Sequence, residues 1–224
     1  MSKIDKSIYT KNEWHKLRQE RRERKSNYKI AFVLGNGTSR SKIDLTELKP
    51  LGKIYGCNAL YREFTPDYLV AVDPRMVKEI SQTGYQLSHS VWTNYTPLYD
   101  KIENLNYFEP MRGWSSGPSA LWLAAQHSYD KIYILGFDYS GIGKTNRLNN
   151  IYADTLNYKK SSDEATFYGN WLRQTQHILR EYPKILFYRI TAPSVLDPIE
   201  LKSFSNLRSL SINSFMDLFN LSFV

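Results

Sequence analysis

The stretch Lys29–Ser39, KIAFVLGNGTS, decides how the rest of the chain is read. Ile30–Leu34 is a short apolar run with β-branched and aromatic residues, the composition of a buried strand. It runs directly into Gly35-Asn36-Gly37-Thr38-Ser39. Glycine adopts positive φ at little cost, and asparagine tolerates the left-handed region better than most residues, so a ligand can approach this backbone closely. Successive N–H groups in such a turn either cradle a phosphate or simply connect a strand to a helix. The dinucleotide fingerprint does not fit. Arg40 stands where the third glycine belongs, and no acidic residue closes a second strand at the required distance. NAD and FAD are therefore disfavoured.

Outward from this turn, apolar runs alternate with helical patterns. Strands are predicted at Tyr28–Leu34, Lys53–Cys57, Tyr68–Val72, Ser90–Thr93, Lys131–Leu135 and Ile185–Tyr188. Helical patterns fall at Arg75–Ser81 behind Pro74, at Ser116–His127 with Pro118 in its first turn, and at Asp163–Tyr182. Ser41–Leu48 reads as a short helix or an irregular segment. This alternation predicts an α/β, Rossmann-like, mainly parallel sheet with helices on both faces, spanning residues 28–202. Residues 1–27 form a polar extension, helical from about Lys11 to Arg24 and anchored by Trp14 and Leu17. Residues 203–224 form an apolar, serine-rich tail suited to docking on the body or on a partner chain.

Length and composition fit this single large domain with appendages: 224 residues, 42% of them hydrophobic, can bury a substantial core. The lone Cys57 rules out a disulfide framework within the chain and fits a reducing, cytoplasmic compartment. There is no apolar run of about 18 residues, so no spanning helix is expected, and the N-terminus lacks the apolar core of a signal peptide. The formal net charge of +8 is partly local, because Lys16–Lys25 (KLRQERRERK) concentrates six basic residues. That run is either a solvated helix, with Glu20 and Glu23 pairing with arginines, or a contact surface for a membrane, a nucleic acid or a protein.

In a parallel sheet ligands bind at the carboxyl ends of the strands. Asn36, Asn58, Asp73 and Asp138 each follow a predicted strand, and Ser115, Ser116 and Gly117 open the helix before the fifth. Each has a plain structural role as a turn former or helix cap; their collection on one edge is what predicts a binding cleft. Gly143-Lys144-Thr145 is not a phosphate loop, because Asp138 occupies the position of its first glycine. The sequence contains no HExxH, CxxC or clustered His/Cys set to hold a metal, and no G-x-S-x-G elbow.

Taken in order, VLGNGTS, YGCNALY, GWSSGPSALWLAA and KIYILGFDYSG resemble the bacterial sialyltransferases of glycosyltransferase family 42, and also the related Rossmann-like DUF115 group, which includes pterin diphosphokinases. The resemblance covers roughly Lys29 to Leu196. It implies a metal-independent glycosyltransferase that takes a nucleotide-activated sugar as donor and a saccharide as acceptor, with no other cofactor. The donor would be held by Gly35, Asn36, Gly37, Asn58, Ser115, Ser116, Gly117, Gly136, Asp138 and Tyr139. Tyr152 and Tyr158 would hold the departing phosphate. The family's general-base histidine sits in a Y-x-G-H setting. Here that setting is Phe167-Tyr168-Gly169-Asn170, and asparagine cannot take a proton at neutral pH. His177, two helical turns on, is the candidate substitute, with Asp163 and Glu164 behind it. Two other classes stay open. One is a Mg²⁺-dependent diphosphokinase with Asp73 and Asp138 as ligands. The other is a non-catalytic module of a phage or surface-polysaccharide system, peripheral to a membrane or part of a virion, in which the basic run, the tail or a second copy makes the contacts.

Overall fold

A computed structural model describes residues 28–193, 195 and 197–222. The predicted helix at Lys11–Arg24 and the basic run Lys16–Lys25 lie outside these residues. Among the described residues, eight strands form one sheet: β1 Ile30–Leu34, β2 Lys53–Cys57, β3 Tyr68–Val70, β4 Val91–Thr93, β5 Leu105–Tyr107, β6 Lys131–Leu135, β7 Leu186–Thr191 and β8 Leu207–Ser211. Their order is β5-β4-β3-β2-β1-β6-β7-β8, and all pairings are parallel. From β1 in the middle of the sheet the strands run out to β5, and β6 then takes its place on the other side of β1. The strand order therefore reverses between β1 and β6, where a doubly wound sheet opens its crevice.

Four α-helices are described: α1 Pro74–Thr83, α2 Ser116–Gln126, α3 Gly169–Glu181 and α4 Ile212–Phe219. Strand side chains alternate between the faces, and the two apolar cores follow that alternation. Ala31 and Val33 of β1 join Ile132, Ile134 and Phe187 beneath α2 and α3. Phe32 and Leu34 join Ile54, Leu69 and Leu135 beneath α1 and α4. Helix α2 covers the sheet's centre and is buried at almost every position from Ser116 to Ala125. Helix α1 starts where Asp73 accepts a hydrogen bond from Arg75 N at 2.8 Å, with Pro74 fixing the first turn, and it ends at left-handed Gly84.

Three expectations change. Residues 203–222 are not a separate tail: β8 pairs with β7 from Phe187↔Leu207 to Thr191↔Ser211, and α4 buries Phe215 and Met216. Helix α3 begins at Gly169 rather than Asp163. Asp163 and Ala165 are instead tied to the preceding loop, through Leu148 N to Asp163 O at 2.9 Å and Ala165 N to Asn146 O at 2.8 Å. Of the two forms expected for Ser41–Leu48, the irregular one replaces the helix, with short 3₁₀ turns at Thr38–Arg40 and Leu45–Leu48. No helix among the described residues is long and apolar enough to cross a membrane.

Candidate functional site

The carboxyl ends of β1 and β6, the N-terminus of α2 and the long connection from β6 to α3 enclose a cleft of about 370 Å³, within the usual range for a small-ligand site. Its floor is a close crossing of two glycine turns. Gly37 N donates to Gly136 O at 2.9 Å and Gly35 N to Leu135 O at 2.8 Å. A Cβ on Gly35 would meet Gly136 O at 2.5 Å, so only glycine permits this approach.

At Thr38 and Ser39 the turn after β1 is not an open phosphate cradle, because these donors are taken by the protein's own side chains, while the Gly35 and Gly37 N–H groups are taken by backbone carbonyls. Thr38 N and Thr38 Oγ1 both donate to Asn149 Oδ1 at 2.8 Å. Ser39 N donates to Asp138 Oδ2 at 3.1 Å, and Ser39 Oγ donates to Asp138 Oδ1. The Asp138 carboxylate thus occupies the place an anion would take, lying so close to Gly37 that a Cβ there would meet Asp138 Oδ2 at 2.5 Å. Asn36 is likewise engaged, donating through Nδ2 to Tyr158 Oη at 3.1 Å while Cys57 Sγ donates to its Oδ1 at 3.6 Å.

Two buried arginines hold these turns from behind. Arg40 donates through Nε to Gly35 O at 2.6 Å and through Nη2 to Tyr152 Oη at 3.1 Å. Arg189, on β7, donates through Nε to Phe137 O at 3.0 Å and through Nη2 to Asp138 O at 3.4 Å, and pairs with Asp197. These contacts hold the turn carbonyls by charge-assisted bonds.

The open donors lie at the start of α2. Ser115 is the N-cap residue, but its side chain caps nothing. Ser115 N is spent on Gln174 Oε1 at 3.1 Å, whereas Ser116 N and Gly117 N have no partner among the described residues. Ser116 Oγ accepts from Val72 N at 3.0 Å, which fixes this helix end against β3. The first N–H groups of a helix together with its dipole form an anion site. Asn58, at φ 52°, brings a second unsatisfied group: its Oδ1 is buried without a partner among the described residues. The described lining contains no lysine, arginine or histidine; its ionisable carboxyl groups are Asp73 and Asp138.

The roof is the connection from Ser140 to Tyr168, which contributes Leu148, Asn149, Asn150, Ala165, Thr166 and Tyr168. It is latched to α1 by Arg62, which grips Glu79 through Nε and Nη2 at 2.7 Å and reaches Thr155 Oγ1 and Leu156 O at 2.8 Å. Glu79 also accepts from Tyr61 Oη at 2.6 Å and Asn157 Nδ2 at 2.7 Å. Burial alone would raise the Glu79 carboxyl, but the hydrogen bonds from Arg62, Tyr61 and Asn157 and the Arg62 charge outweigh it and hold the group below its ordinary value. A depressed folded-state pKa contributes stability that is present at neutral pH and is lost as pH falls below the ordinary glutamate range and through the depressed value. Glu79→Gln is therefore expected to speed amide exchange at residues 155–157 at pH 7. In the unmodified protein the same protection should fade as pH falls below the ordinary glutamate range. Unchanged exchange in the variant would remove the latch.

No family model matches the chain. No curated protein and no solved structure matches it either.

The structure brings together Gly35, Asn36, Gly37, Asn58, Ser115, Ser116, Gly117, Gly136, Asp138 and Tyr139 around the cleft. Six other expected residues fall elsewhere. Asn170 is outside the lining and exposed, its Oδ1 accepting from Arg173 Nη2 one turn on. His177 is exposed and lies beside Trp114 at 6.1 Å. The buried stripe of α3 is Leu172, Thr175, Ile178 and Leu179, and at about 100° per residue Asn170 and His177 face the opposite side. The alignment that put Asn170 in a catalytic place is therefore wrong, and with it goes the idea of a base lost at that position. Asp163 and Glu164 are also outside the lining. Tyr152 and Tyr158 stand behind the β1 turn rather than in the cleft: Tyr152 Oη donates to Glu63 Oε1 at 2.5 Å, and Tyr158 Oη accepts from Ala59 N at 3.3 Å. Among the described residues no group of three or more His, Cys, Asp or Glu side chains could hold a metal ion, and Asp138 is committed to Ser39. The sequence reading missed Phe137, Tyr168 and Trp171; Trp171 could have been found from the stripe of α3, which it borders.

Proposed function

We propose that this cleft binds a nucleotide-activated sugar and that the protein is a transferase of the glycosyltransferase type. The observation that carries the reading is the open N-terminus of α2, whose Ser116 and Gly117 N–H groups face the switch-point cleft without partners. A donor phosphate would sit there, and the helix end would stabilise the negative charge that grows as the sugar departs. Charge neutralisation would thus come from the helix rather than from a metal. Asp73 is the carboxylate exposed at the cleft mouth, and it replaces Asn170 as the candidate to take the acceptor proton.

Calorimetric titration with CMP, UMP, GMP and their sugar conjugates tests this, with and without Mg²⁺. Dissociation constants below about 1 mM without Mg²⁺ are expected, corresponding to about 4 kcal/mol or more. Silence from every nucleotide at millimolar concentration would overturn the reading. Binding that needs Mg²⁺ and a nucleoside triphosphate would favour a diphosphokinase. One observation supports a second reading, a non-catalytic binding module: the described lining holds no imidazole. Donor binding with no donor hydrolysis or transfer would favour that module.

A further inference from the structure

We infer that Tyr168 and Trp171 form the seat of a nucleobase. The inference rests on the reading of the cleft as a nucleotide site and adds which wall takes which part of the ligand. Both side chains line the cleft. Tyr168 stacks against Phe167 with centroids 6.4 Å apart and planes at 22°, and Phe167 is 71% exposed. Phe167 lies outside the lining and Trp171 packs partly on the core, so the exposed aromatic surface in the cleft is that of Tyr168. Exposed aromatic surface beside a cleft is the informative exception to apolar burial. Gly169 supports the arrangement, because the Phe167 ring folds onto it where a Cβ would stand.

Position links this wall to the phosphate end. Trp171 precedes Gln174 by three residues on α3, and Gln174 Oε1 accepts from Ser115 N at 3.1 Å. Residues at that spacing are neighbours on one helix face, so Trp171 stands one turn of α3 before the residue that bonds the start of α2. A planar group and an anionic group of one ligand would be neighbours in the same way. The chemistry around the wall favours a base over a saccharide. Asn149 Oδ1 is spent on Thr38, and Asn150 Oδ1 accepts from Tyr152 N at 2.9 Å. Leu148, Ala165 and Phe137 add apolar surface. What remains beside Thr166 is flat and largely apolar, while the free acceptors Asn58 Oδ1 and Asp73 belong to the strand ends across the cleft. Stacking of this kind tolerates any base, so discrimination among CMP, UMP and GMP should be weak.

The test is calorimetry of GMP and ribose 5-phosphate against the native protein, Trp171→Ala and Trp171→Phe. GMP affinity should fall about 5- to 150-fold in Trp171→Ala, the range for loss of one base–aromatic stack. It should be largely kept in Trp171→Phe, and ribose 5-phosphate should bind the native protein and Trp171→Ala alike. GMP affinity unchanged in Trp171→Ala, or an equal loss for both ligands, overturns the base seat and leaves the nucleotide reading standing. Failure of the native protein to bind either ligand overturns both. If Trp171→Ala does not fold, Tyr168→Ala carries the same comparison from a more exposed position.

Discussion

Replacing Arg189 with methionine is expected to destabilise the protein by about 2–5 kcal/mol, because it strips a buried guanidinium from several partners at once. Arg189 is 2% exposed and holds the carbonyls of Phe137 and Asp138 while pairing with Asp197. Each buried carbonyl left without a donor costs about 1–3 kcal/mol. Asp197 is 34% exposed, so its charge is partly solvated and adds less. Urea titration should show a lower midpoint with an unchanged slope. A loss below about 1 kcal/mol would mean that water replaces the guanidinium and that the turn after β6 needs no such anchor.

Gly136→Ala should have a comparable effect for a different reason. Gly136 sits at φ +69°, and a Cβ there would meet Gly35 O at 2.7 Å. The left-handed conformation costs a non-glycine residue about 1–2 kcal/mol, and forcing two backbones apart adds about 1–3 kcal/mol. A domain of this size should lose about 2–4 °C of melting temperature per kcal/mol. Gly143 supplies the control: it has a similar φ of +68° with nothing within 4 Å of a Cβ. Gly143→Ala should show the conformational part alone. Equal losses in the two variants would show that the close crossing of the glycine turns contributes nothing.

The central strands were legible because each is buried on both faces and must be apolar throughout, as in KIAFVL and KIYIL. Strands β5 (LNY) and β8 (LRSLS) were not, because they are edge strands with partly exposed faces and so carry polar residues. The start of α3 was misplaced because Asp163 and Ala165 make loop hydrogen bonds, a tertiary demand that helix propensity does not register. The position of the cleft was readable from the small and polar residues at strand ends. The role of the β1 turn was not, since nothing in GNGTS reveals that Asp138 and Asn149, about a hundred residues away, fill the donors of Thr38 and Ser39. Arg189 was overlooked because an arginine in FYRIT looks like a solvent-facing residue, whereas it is among the largest fully buried side chains. Asn170 was singled out by motif position, and only its rotation about the helix shows that it faces away from the cleft.

The claim that the start of α2 is the anion site has one direct measurement, an amide chemical-shift titration with GMP. The Ser116 and Gly117 amides should move furthest and saturate with the affinity seen calorimetrically, while Thr38 and Ser39, whose N–H groups are already bonded, should move little. Saturating shifts at Thr38 and Ser39 with Ser116 and Gly117 still would contradict the claim and return the phosphate to the glycine turn.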